Sequence, residues 1–100
     1  MKAGTKVRIT KVSEKRPGLV DIGHWAEGVL SYDVKEGEPV LMERSRRRKI
    51  NDGEPDIVEM DGVFNTSVVE WVQMDFETVG KPILYVLKTR NSTWVLEEIN

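Results

Sequence analysis

The sequence contains no cysteine. That absence excludes disulfide staples, thiol nucleophiles and thiolate-bound zinc or iron–sulfur centres. Histidine is almost missing too: His24 stands alone, and a lone imidazole makes no ordinary zinc site unless carboxylates complete it. None of the eight glycines falls in a Gly-x-Gly pattern, so no dinucleotide loop or P-loop is encoded. Long apolar runs are absent as well. Lys6, Arg8 and Lys11 interrupt the window that a secretory signal needs, and nothing approaches the ~20 apolar residues of a membrane helix. Neither charge dominates, since 15 Lys and Arg face 17 Asp and Glu. A hydrophobic fraction of 39% is enough to offset chain entropy with a core, which excludes global disorder. The expectation is one domain spanning residues 1–100, cytoplasmic and without membrane contact.

What the sequence does have is short runs of β-branched and aromatic residues, each closed by Gly, Pro, Asn or Asp. Residues 5–12 alternate, with Val7 and Ile9 on one face and Lys6 and Arg8 on the other. A long first loop follows over 13–25, in which Leu19, Val20 and Ile22 are expected to fold back onto the barrel edge. Residues 26–34 read as a second strand with Ala26, Gly28 and Leu30 on one face, Gly28 marking a bend or a close backbone approach. After the turn at Glu36-Gly37-Glu38-Pro39, Pro39 fits the first residue of a third strand, which puts Val40 and Met42 on one face. Arg44, Arg46, Arg47, Arg48 and Lys49 then arrive together. An inward arginine without a partner costs several kcal/mol or more, so the strand is expected to end near Arg44. The stretch 46–55 then projects as a charged loop.

Asp61-Gly62, between the runs 57–60 and 63–66, has the chemistry of a tight hairpin turn. Residues 67–76 admit two readings. Ser67 and Glu70 form a capping box with Val68, Trp71 and Val72 on one helical face, whereas Val68, Val69 and Val72 are β-branched and favour a strand. A short turn at 67–70 leading into a strand is adopted, with a helix of two or three turns as the alternative. Gly80-Lys81-Pro82 breaks the chain, and 83–88 with 93–99 form a final hairpin around Arg90-Asn91-Ser92. Six to eight strands without helix–strand alternation give an all-β barrel or sandwich. Trp71, Trp94, Phe64, Phe76 and Tyr85 are the expected core anchors.

The segments AGTKVRITKV, WAEGVLSYDV and PVLMER, separated by a long loop and a tight turn, resemble the opening strands of SH3-like small barrels. FNTSVVEWV supplies a later strand and short turn, and YVLKTRNSTWVLEEI is a C-terminal hairpin longer than that barrel needs. The resemblance implies a small SH3-like antiparallel barrel with an extended C-terminal hairpin and a projecting charged loop. Such barrels host nucleic-acid binding, peptide binding and scaffolding alike, so the fold does not choose a function. The acidic and aromatic loop signature of proline-binding SH3 domains is missing.

Charge is unevenly divided. Residues 1–50 hold twelve basic and seven acidic groups, residues 51–100 three and ten. Arginine-rich loops suit phosphate, because each guanidinium grips two oxygens and keeps its charge. Arg44, Arg46, Arg47, Arg48 and Lys49, with Lys6, Arg8 and Trp25 as a stacking ring, are therefore the candidate contacts to an anionic partner, RNA or DNA. The competing structural reading is a solvated loop, or one paired with Asp52, Glu54, Asp56 and Glu59. A second functional reading is a protein-interaction or assembly module, such as a small viral or bacterial accessory protein that binds or inhibits a larger protein. It works through edge-strand pairing and an apolar patch. A homodimer joining the basic loop of one copy to the acidic segment of another is a further arrangement. A phosphate-ligand pocket on the same arginines is a third reading.

No catalytic constellation is present: any serine triad would have to use His24, and no nucleophile elbow precedes a helix. Asp52, Glu54 and Asp56 lack the glycine and distal glutamate of a calcium loop and read as turn chemistry. No enzyme activity, metal or cofactor is expected. Asn65-Thr66-Ser67 and Asn91-Ser92-Thr93 match the glycosylation pattern but read as turn residues.

Overall fold

The computed structural model describes residues 1–15, 22–51, 54–75 and 84–99, with the backbone alone for 47–51, 54–61 and 74–75. Six antiparallel strands close into a barrel in chain order: β1 Lys6–Glu14, β2 Trp25–Leu30, β3 Pro39–Asn51, β4 Glu54–Asp75, β5 Leu84–Thr89 and β6 Ser92–Glu98. The architecture is all-β, consistent with the SH3-like and OB-like small barrels. Closure through β1 and β6 removes the edges an open sheet would expose over their paired lengths.

Alternation decides what goes inside. Val7 and Ile9 of β1, Ala26 and Leu30 of β2, and Val40 and Met42 of β3 all turn into the core. Phe64 and Val69 of β4, Leu87 of β5, and Trp94 and Leu96 of β6 complete it. Phe64 and Trp94 meet edge to face, with ring centroids 5.6 Å apart. Each fully buried side chain of this kind contributes roughly 1.5–3 kcal/mol relative to exposure. Tyr85 packs against this cluster. Trp71 does not: it is 38% exposed, opposite Lys88, whose ammonium sits 5.0 Å from its ring. Phe76 and the Gly80-Lys81-Pro82 break lie outside the described residues.

Gly28 is the close backbone approach its position implied. A Cβ there would meet the Glu43 carbonyl oxygen at 1.9 Å. The pairing of β2 with β3 is irregular at this point, between Glu27 and Gly28, so that Ser45 is the extra residue between Arg44 and Arg46. Pro39 opens β3 as expected, after Gly37 at φ 88°.

Three expectations about β3 and β4 are corrected. First, β3 does not end near Arg44 but pairs on through Asn51, so the charged segment is the arm of a β-hairpin instead of a loop. The bulge at Ser45 removes the cost of burying a charge at Arg46, because it turns Arg46 outward when regular alternation would have turned it in. Second, Asp61 and Gly62 lie within β4, where Gly62 faces Arg44 across the ladder. Asn51 and Glu54 face each other at the end of the ladder, and Asp52-Gly53 lie outside the described residues. Third, β4 runs unbroken through Ser67 and Glu70, neither turn nor helix. Its β-branched valines decide the matter, and Val69 exchanges backbone hydrogen bonds with Gly37 and Glu38 at 2.8 and 3.0 Å. Ile22, expected against the barrel edge, is 51% exposed, while Leu19 and Val20 lie outside the described residues.

Candidate functional site

Two regions carry the polar chemistry. The first is on the outer face of β1, β2 and β3. Cross-strand pairing lines up Glu97, Arg8, Glu27, Arg46 and Glu59 from β6 through β1, β2 and β3 to β4, a register of alternating sign. Glu27 lies at its centre and is only 6% exposed, although it points away from the core between inward Ala26 and Gly28. Arg8 Nη2 stands 3.4 Å from one of its carboxylate oxygens and Arg46 Nη1 stands 3.6 Å from the other. Both guanidiniums also lie over Trp25, their Cζ atoms 4.4 and 5.7 Å from the ring centroid. Each such stacking contact is worth about 0.5–1 kcal/mol where water still reaches it.

Of the sequence-derived site residues, the fold thus brings Arg8, Arg46 and Trp25 together, around a carboxylate the sequence reading had not singled out. Trp25 is buried beneath its arginines and offers no open ring face. Lys6 is exposed at the start of β1, opposite Val29 of β2. Arg47, Arg48 and Lys49 follow on β3, opposite Val58, Ile57 and Asp56 of β4, and their side chains lie outside the described residues. Between 44 and 62 the hairpin arm carries five basic and five acidic residues, so the arm as a whole is neutral.

The second region begins with Arg44. It continues the inward series of Val40 and Met42, and a Cβ on Gly62 would come within 2.7 Å of its Nη2. Among the described residues it has no carboxylate partner. Nearby, β4 pairs with β3 back from Val68, but with β5 only from Val69 onward. The strands fork there, with Ser67 Oγ and Thr89 Oγ1 at 3.4 Å. Among the described residues no strand covers the second edge of β4 before the fork.

A cavity of about 350 Å³ opens beside that edge. Residues 63–67 of β4 form one wall and Asn91 and Ser92 the facing one, while Lys11, Arg44 and Trp94 close it. Its volume falls at the low end of the range for small-ligand sites, roughly 300–1,000 Å³. Thr66 stiffens the wall: its Oγ1 accepts from Val40 N at 3.0 Å and donates to the Ser67 carbonyl at 2.7 Å. Thr89 Oγ1 donates to the Ser92 carbonyl at 3.2 Å and holds the opposite wall. Lys11 is 2% exposed, its ammonium 2.6 Å from a Glu14 carboxylate oxygen. Alternation from Val7 and Ile9 carries Lys11 inward, a signal the sequence held. Two buried N–H groups of the lining, Arg44 Nε and Trp94 Nε1, have no hydrogen-bond acceptor among the described residues. Leaving such a donor unmade costs about 1–3 kcal/mol.

His24, just before β2, is buried, and its carbonyl accepts from Lys11 N at 2.9 Å. Among the described residues no group of His, Asp or Glu has the geometry to hold a metal ion. Among the same residues no helix is long and apolar enough to cross a membrane. No family model, curated protein or solved structure matches the chain.

Proposed function

We propose that the protein is a non-enzymatic protein-interaction module that accepts an extended polypeptide strand along the second edge of β4. The observation that carries this reading is the fork at Val69: β4 continues past its β5 pairing with one row of backbone groups unpaired among the described residues, beside a preformed cavity. Strand addition at such an edge draws affinity from main-chain hydrogen bonds and specificity from pockets for alternate side chains. Residues 63–67 offer room for about five residues, roughly 17 Å at 3.3–3.4 Å each. Val63, 65% exposed on the outer face, flanks this edge, and Phe64 and Trp94 back the cavity.

The arginines weigh in the same direction. A phosphate-binding reading asks for cations free to exchange condensed counterions, and Arg8 and Arg46 already share Glu27. A stacking reading asks for an open aromatic face, and that of Trp25 is covered.

The test is selection of linear peptides displayed on phage against the whole chain, followed by binding at low and high salt beside single-stranded RNA and duplex DNA. Strand addition predicts β-branched peptides whose affinity barely changes with salt and is lost on Asn65→Pro, with the fold checked by the dispersion of the core NMR signals. Salt-steep retention on nucleic acid, abolished when Arg46, Arg47 and Arg48 become Ala, would replace this reading with the nucleic-acid one.

A further inference from the structure

Arg44 gives the cavity a chemical preference. We infer that the cavity beside β4 is a carboxylate site, in which Arg44 anchors a single carboxylate of the added strand. This deepens the strand-addition reading and rests on it for the source of the carboxylate.

Three observations point to the ligand. Arg44 is the one cation on these walls without a carboxylate partner among the described residues, whereas Lys11 is already joined to Glu14. Its guanidinium lies beside Gly62, where a Cβ would meet Nη2 at 2.7 Å and a side chain would displace it. The remaining walls mix apolar surface from Val63 and Trp94 with the amides and hydroxyls of Asn65, Ser67 and Asn91. That lining surrounds one planar, forked donor, the shape that grips the two oxygens of a carboxylate.

Charge decides between anions. One guanidinium with no carboxylate partner among the described residues balances one negative charge. A phosphate dianion would leave a charge uncompensated in a partly enclosed space, with Glu14 close to Lys11 opposing it further. Arg44 and Trp94, both lining the cavity, each carry a buried N–H donor, Nε and Nε1, without an acceptor among the described residues.

The carboxylate comes either from the C-terminus of the added segment or from an Asp or Glu side chain within it. The experiment follows the Trp94 indole N–H and the Arg44 Nε–H by NMR in the whole chain. Sodium acetate is titrated against matched sodium chloride, followed by display-selected peptides in three forms: free acid, C-terminal amide, and acidic residues changed to Gln or Asn. The expected result is a saturable shift of both signals with acetate, none with chloride, and at least roughly tenfold weaker binding in Arg44→Gln. Gly62→Ala, which displaces the guanidinium while leaving its charge, weakens binding in the same direction. A tenfold loss on amidation assigns the terminal carboxylate, and the same loss on Glu→Gln assigns a side chain. Acetate without a saturable shift, together with equal affinity for all three peptide forms, would overturn the carboxylate site while leaving strand addition standing. Acetate binding without recovery of any peptide would do the opposite.

Discussion

Arg44 and Arg46 are two residues apart on one strand, and they live in opposite worlds. A regular strand would put them on the same face. The extra residue Ser45, set against the Gly28 backbone, sends Arg44 toward the cavity and Arg46 onto the outer sheet. There Arg46 finds Glu27 and Trp25, and with Arg8 it shares that one carboxylate. Arg44 finds a glycine, a cavity and no carboxylate among the described residues. The comparison teaches that a run of cations in sequence is not a patch: register and bulges distribute it, and the member left unmatched is the informative one.

The largest expected effect comes from breaking the device that separates the two arginines. Gly28→Ala drives a Cβ into the Glu43 carbonyl, backbone that cannot swing aside as a side chain would. A loss of about 3 kcal/mol follows, read in a denaturant titration. Next is Glu27→Ala, which leaves two guanidiniums side by side over Trp25. Because Arg8 and Arg46 are 37% and 44% exposed, water compensates part of the loss, and about 1–2 kcal/mol is expected by the same titration. Changing each arginine to Met sharpens the contrast in sign. Arg46→Met lowers thermal stability by about 0.5–1 kcal/mol, while Arg44→Met leaves it unchanged or raises it by up to about 1 kcal/mol. Equal losses at both positions would dissolve the distinction. Smallest is Lys88→Ala, which removes the cation from an exposed Trp71 ring and costs about 0.5 kcal/mol, checked by calorimetry.

Much of this was legible in the residue order. The alternation of Val7 and Ile9, the close approach at Gly28, the strand start at Pro39 and the C-terminal hairpin all follow from local chemistry, which long-range packing did not contradict. The length of β3 and β4 was not legible. Asp52-Gly53 and Asp61-Gly62 offer the same turn chemistry, and only the pairing of Arg44 with Gly62 places the second within a strand. The Glu27 cluster was hidden for a different reason. Its two ion-pair partners come from two other strands, and nothing local to Glu27 distinguishes it from any other surface carboxylate. Trp71 misled because size argues for burial, but the irregularity between Val69 and Trp71 sets its ring on the outer face against Lys88.

The central claim is that β4 presents a usable edge before its fork with β5. Amide hydrogen exchange in the whole chain, with and without a display-selected peptide, tests it most directly. The account predicts that the amides newly protected by the peptide fall within 63–67 on β4, while Trp25, Glu27 and Arg46 exchange as before. Protection centred on the Glu27 cluster, with residues 63–67 unaffected, would contradict it.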